Sequence, residues 1–411
     1  MLFRSDHPMV LLILSPWDDP IPIKRAWCLY EIYQALEENS VEFTIDLPQS
    51  QVEKLKAAVI ENPECVIQAL SDIQAQNAEA AINSDREMIF RVIQESEGGF
   101  SKVNQNVKRG LRSWYINQLQ LLAQQDPYND IFHIHTAIVM REFGFLDEPL
   151  KYYTDLLSKR PADEQEERTM AEIYNNMANV YGEKCDLDKA LRYYDKSFSI
   201  RLNTLGENHP DVASSYTNMA IVYKEKGELD KALEYYNKSL SIRLNTLGEN
   251  HPDVATSYNN MANVYSDKGE LDKALEYYNK SLSISLKVLG ENHPHVAISY
   301  NNIANVYSDK GELDKALEYY KKSLSIRLNI LGENHPDVAI SYTNMANAYR
   351  DKGELEKALE YHNKSLSIRL NTLGENHPDV ATSYNNMANV YSDKGELDKA
   401  LEYYNKSLSI R

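Results

Sequence analysis

The sequence predicts a mostly α-helical chain, a right-handed α-solenoid of helical hairpins preceded by a small α/β fragment. Two observations carry this expectation. Five near-copies of one 42-residue unit fill the C-terminal half, each opening on a His-Pro pair, at His209, His251, His293, His335 and His377. Residues 251–285 and 377–411 differ only at Ser285 against Arg411. Within each unit, apolar residues then recur at helical spacing. Self-similarity of this period marks stacked supersecondary units rather than one globular core. Function is therefore to be sought first on the surface that the stack presents.

The unit from His251 to Asn292 shows how each hairpin is written. Val254, Tyr258, Met261, Ala262 and Tyr265 lie on one face of a helix. Pro252 suits the first helical position and Asp253 the positive helix end. Gly269 closes this helix in a Lys-Gly-Glu turn. A second helix follows with Leu271, Ala274, Leu275, Tyr278, Leu282 and Leu289 on one face, and Gly290 ends it. Each hairpin has apolar faces that only neighbouring hairpins can cover.

These residues resemble the tetratricopeptide repeat. The small Ala262, the following Tyr265, the turn Gly269 and the Ala274-x-x-x-Tyr278 of the second helix match that family's pattern. The family's usual period is about 34 residues. The 42-residue variant, here Leu247-Gly248-Glu249-Asn250-His251-Pro252-Asp253-Val254-Ala255, resembles the repeats of kinesin light chains and nephrocystin-3. The resemblance covers six repeats over residues 169–411, the first lacking His-Pro but keeping the phase at Tyr174, Asn175, Asn176, Met177 and Ala178. Residues 126–168, with Ala137, Phe143, Gly144, Leu150 and Tyr153, read as a degenerate repeat or N-terminal cap.

The resemblance implies a concave groove, lined by first helices, that holds partner peptides or helices. The matching positions are Asn176, Asn218, Asn260, Asn302, Asn344 and Asn386, with Asn179, Asn263, Asn305, Asn347 and Asn389. Asparagine offers both donor and acceptor, so a ladder of them can pair with a peptide backbone of any sequence. The competing reading is that they bond to neighbouring helices and hold the array together. Chaperone-binding arrays clamp a carboxylate with basic first-helix residues; Ser214, Thr256, Ile298 and Thr382 stand there instead. Lys224 and Arg350 are isolated basic residues on this face. No metal site is expected from the five histidines, because helix layers about 8–10 Å thick separate them and zinc needs ligands about 2 Å away. They read as caps or packing residues before proline.

Composition narrows the partners. With 44 Lys+Arg against 61 Asp+Glu, the net charge is -17, which disfavours nucleic acid and anionic membrane surfaces. Cys28, Cys65 and Cys185 are scattered and form no disulfide or zinc framework. Met9–Leu14 is too short for a membrane span or a signal core and reads as a buried strand. A cytoplasmic location without cofactors follows as the expectation. The Asn-Lys-Ser sequons at Asn237, Asn279, Asn363 and Asn405 then carry no glycans.

Residues 1–125 show no repeat. Strands are expected at Met9–Leu14 and Val41–Leu47, and helices at Lys24–Glu38, 50–61, 63–80, 84–96 and 101–125. Leu12-Ile13-Leu14-Ser15-Pro16-Trp17 and Arg25-Ala26-Trp27-Cys28-Leu29-Tyr30-Glu31-Ile32 resemble part of a TIR-like domain. The resemblance implies a catalytic glutamate at Glu31 in the members that cleave NAD, where a carboxylate stabilises an oxocarbenium-like state. Glu31 as a plain surface residue of its helix is the preferred reading. Too little chain precedes Met9 for the strands that complete a TIR pocket, so a truncated or degenerate domain is expected.

The leading expectation is a non-catalytic protein-interaction scaffold. A kinesin light chain-like cargo adaptor would add a heptad coiled coil, and residues 1–168 show no sustained a/d pattern. A NAD-cleaving enzyme clustered by its repeats is the competing class. Self-association through an uncapped C-terminal hairpin is also expected.

Overall fold

The computed structural model describes residues 9–13, 28, 31, 34, 42–71, 83–95, 99–158 and 164–410. The chain divides into two compact units, residues 1–186 and 187–411, at the turn after Glu183.

In the first unit, Met9–Ile13 (β1) and Glu42–Asp46 (β2) pair in parallel, in register from Met9↔Glu42 to Ile13↔Asp46. Parallel neighbours need a crossover between them, and Cys28, Glu31 and Gln34 on that connection are helical. The rest of the expected Lys24–Glu38 helix lies outside the described residues. Helices follow at Gln49–Glu61 (α1), Glu64–Ser71 (α2), Asn83–Glu95 (α3) and Gly99–Gln125 (α4). The expected helix over 63–80 is described only as far as Ser71.

Burial in this unit follows the helical repeat. On α4, Val103, Val107, Leu111, Tyr115 and Leu119 recur every four residues and are all buried. They meet Leu55 and Val59 of α1 and Ile89 and Ile93 of α3 in one core. Polar ties fix the layers to one another. Trp114 Nε1 donates to the Ile45 carbonyl at 3.1 Å, and Lys56 pairs with Asp126 at 2.7 Å. Asp130–Glu142 (α5) and Asp147–Ser158 (α6) form a helical hairpin whose turn needs Gly144, at φ +87°. Glu164–Glu183 (α7) completes the unit, and Lys184 after it pairs with Asp147 at the start of α6.

The second unit opens with Leu187–Leu205 (α8) and continues as five hairpins. Their helices are Pro210–Glu225 (α9) with Leu229–Leu247 (α10), and Pro252–Asp267 (α11) with Leu271–Leu289 (α12). Pro294–Asp309 (α13) with Leu313–Leu331 (α14) and Pro336–Asp351 (α15) with Leu355–Leu373 (α16) follow. Pro378–Asp393 (α17) and Leu397–Ile410 (α18) end the series.

Every first helix starts alike. Proline takes the first position, and the preceding histidine accepts at Nδ1 from the backbone N–H two residues on, 3.1 Å at His251 and Asp253. The five histidines are thus N-caps, which satisfies a helix-end donor that would otherwise be orphaned. The hairpin turn is a Schellman closure in which Glu270 N donates to Tyr265 O at 2.9 Å and Gly269 sits at φ +74°.

Two alanines let the helices of a hairpin approach. Ala262 and Ala274 are fully buried, and the cluster around them reaches into the next repeat through Val296, Ala297, Ile303 and Val306. The core is therefore a chain of nearest-neighbour interfaces.

The same polar links recur at these interfaces. Arg243 Nη1 donates to the Asp253 carbonyl at 3.2 Å and to Ser257 Oγ at 2.8 Å. Arg327 repeats this with Asp337 and Ser341, and Arg369 with Asp379 and Ser383. Lysines of the turns reach back one repeat, as in Lys268–Asp230 and Lys310–Asp272, both 2.6 Å.

Candidate peptide-binding groove

The first helices carry the predicted groove asparagines at two depths. Asn218, Asn260, Asn302, Asn344 and Asn386 are half-buried, each next to a buried Met219, Met261, Ile303, Met345 or Met387 that anchors its helix. Asn263 and Asn389 are half-buried, whereas Asn305 and Asn347 are exposed. In the first unit Asn179 is half-buried and Asn176 is buried, its Nδ2 without a hydrogen-bond partner.

Part of this set is bonded within the array. Asn302 Nδ2 donates to Asn259 Oδ1 at 3.1 Å, and Asn344 Nδ2 to Asn301 Oδ1 at 3.0 Å. The offset is 43 residues, one repeat plus one, so adjacent first helices meet one residue out of phase. Asn260 and Asn386 make no such bond, because the residues 43 before them are Thr217 and Thr343. Those hydroxyls are taken by Ser239 and Ser365, each at 2.8 Å.

The second row of asparagines serves the second helix. Tyr278 donates to Asn263 Oδ1, Tyr320 to Asn305 at 2.6 Å and Tyr404 to Asn389 at 2.6 Å. Burial pushes the Tyr278 and Tyr320 phenols up, so both remain neutral donors. At Asn347 the tyrosine is replaced by the buried His362.

The isolated basic residues are also committed. Lys224 pairs with Asp267 at 3.2 Å and Arg350 with Asp393, each reaching into the following repeat. Sequence reasoning missed Asn259 and Asn301, the ladder partners of Asn302 and Asn344. Each stands directly before a predicted groove asparagine, Asn260 or Asn302, but the sequence does not show which helix it meets.

Chemically, a half-buried asparagine bonded through one group keeps other donor or acceptor capacity for a ligand. Glu31 is half-buried and helical. Among the described residues, no cluster of three His, Cys, Asp or Glu could hold a metal, and no helix is long and apolar enough to cross a membrane.

Capped hairpins with alanines at their crossings, each packed on its neighbours, define a helical-repeat protein of the solenoid class. The particular family follows from comparison. The tetratricopeptide-repeat family matches over 169–245, 211–287, 253–329, 295–371 and 337–411, more than half of the chain, and the protein belongs to that family.

Among solved structures, the chain resembles a STAND signal-transduction ATPase with a tetratricopeptide repeat sensor from Pyrococcus horikoshii. The TM-score is 0.56 at 18% identity, covering 93% of this chain and 65% of that one. BtubC (BKLC) from P. vanneervenii matches at 24% identity and TM-score 0.45, over 64% of this chain and 91% of the other. A putative kinesin light chain from Podospora anserina with nearly identical TPR-like repeats matches at 26% identity and TM-score 0.45. That match covers 49% of this chain and 96% of the other. Curated protein sequences give no match.

Proposed function

We propose that the protein is a non-catalytic scaffold that binds partner peptides or helices along the first helices of its repeats. The observation that supports this reading is the row of half-buried asparagines at Asn218, Asn260, Asn302, Asn344 and Asn386, repeated in near-identical surroundings. Repeated weak contacts of one kind sum by multivalency rather than by a single specialised pocket. The location consistent with this role is cytoplasmic.

The test uses peptides selected by display on the full chain. Asn260 and Asn386 are free of the ladder, so Asn260→Ala with Asn386→Ala should weaken capture roughly thirtyfold, at about 1 kcal/mol per lost hydrogen bond. Thermal stability should stay unchanged. Unaltered capture would sink the groove reading. A cargo adaptor of kinesin light chain type is its narrower form, supported by the 42-residue phasing; binding of a kinesin heavy-chain tail tests it.

One further reading rests on a specific observation. The parallel β1–β2 pair with helical Glu31 between its strands supports a TIR-like segment. NAD turnover by the full chain that Glu31→Ala abolishes is the result that would favour the enzyme.

A further inference from the structure

One interface of the second unit departs from the rest at the same place on both sides. The arginine of Arg201, Arg243, Arg327 and Arg369 is Ser285 in the 251–292 repeat. The aspartate of Asp211, Asp253, Asp337 and Asp379 is His295 in the repeat that follows. Where the arginine is present, its Nη1 reaches a backbone carbonyl at 3.0–3.5 Å and a serine Oγ at 2.7–3.0 Å.

At the exceptional interface the arginine is gone and its acceptors remain. Ser299 Oγ still donates to the His295 carbonyl at 3.0 Å, as Ser341 does to Asp337 at 3.1 Å. The space opens as a cavity of about 130 Å³, lined in part by Asn259, Ser281, Ser285, His295, Ile298 and Ser299. One water occupies about 30 Å³ of liquid, so the space is several waters large. Ile298 at its rim is 45% exposed, which leaves a way in from solvent.

We propose that this cavity is a binding site for a guanidinium group, supplied by an arginine side chain of a partner. A planar guanidinium carries only donors. The cavity answers with acceptors: the His295 carbonyl and the hydroxyls of Ser281, Ser285 and Ser299. The four regular interfaces are internal controls, since each holds a guanidinium of the chain itself on the equivalent carbonyl and serine. Ser285 thus leaves the equivalent carbonyl and serine without a guanidinium of the chain itself. The inference rests on the scaffold reading only for the origin of the arginine, because a small probe tests the cavity without any partner.

The probe is methylguanidinium, titrated into the full chain and followed by NMR of the Ile298 and Ala255 methyl groups. Saturable shifts with a Kd on the order of millimolar are expected for a ligand of so few atoms. Ser285→Arg fills the cavity and should abolish the shifts, with a fold retained by analogy to Arg243 and Arg327. His295→Asp restores the carboxylate found at the other interfaces and should tighten binding several-fold.

Two further ligands separate the sources of the group. N-acetyl-arginine N-methylamide binding at least as well as zwitterionic arginine assigns the site to a polypeptide. Preference for the free amino acid overturns that half of the proposal. Shifts in the parent no larger than in Ser285→Arg, or no saturation, overturn the site itself.

Discussion

His362 gives the array one pH-sensitive repeat. It stands where Tyr236, Tyr278, Tyr320 and Tyr404 stand in other copies, and it is only 1% exposed. Its Nε2 has no hydrogen-bond partner. Burial, then the positive charges of Arg350 and Arg369, pull the imidazole from its ordinary 6.5 to about 4. The folded state therefore prefers the neutral ring, and the unfolded chain binds a proton first as pH falls. Stability from this group is complete above pH 6.5 and is lost progressively as pH drops toward 4. The full difference is worth roughly 3 kcal/mol at about 1.36 kcal/mol per pH unit, and about 2 kcal/mol is already gone at about pH 5.

Because the repeats are coupled mainly to their neighbours, the loss should concentrate in α15 and α16 rather than spread evenly. Hydrogen exchange of segments from residues 336–373, compared between pH 7.5 and 5 after correction for intrinsic rates, reads it out. His362→Tyr supplies the phenol that Asn305 and Asn389 receive in their own repeats, at 2.6 Å, and should remove most of the pH dependence. The variant also controls for Asp379 and Asp393, whose carboxylates neighbour Arg369 and Arg350. Equal loss of protection in parent and variant would refute the reasoning.

Two substitutions probe the backbone and the interfaces. Cys185 occupies the turn position that Gly227 and Gly269 fill elsewhere, at φ +57°, a conformation costly for any residue with a Cβ. Cys185→Gly should raise stability by about 0.5–1 kcal/mol, seen as a higher denaturant midpoint with unchanged slope. Arg327→Ala leaves the Asp337 carbonyl and Ser341 without their guanidinium. It should cost about 2 kcal/mol, and more than the exposed Lys315→Ala, in matched chemical unfolding.

The hairpins were legible because their punctuation is local. Pro252 and Gly269 fix the ends of α11, and the expected helix over 50–61 differs from α1 by one residue. The histidines before proline are caps, as their position suggested. The asparagines were half legible. Their place on the first helix follows from phase within one repeat, but the bond between Asn259 and Asn302 depends on how two helices meet, 43 residues apart. Nothing in a 42-residue period announces that extra residue. His362 and Ser285 show the same limit, since each differs from its copies by a substitution whose meaning appears only with burial or an empty volume around it.

The arginine contact across each repeat boundary has a genetic consequence. Arg243 reaches Asp253 and Ser257, and Arg327 reaches Asp337 and Ser341, at the same separations of 10 and 14 residues. A tandem duplication or deletion of 42 codons would therefore join surfaces that already fit, and chain length could drift without inventing a new interface. The boundary carrying Ser285 and His295 lies outside this interchangeability. Recombination that moved either residue alone would set an arginine beside a histidine, or a serine beside an aspartate, combinations that no boundary of the array now holds.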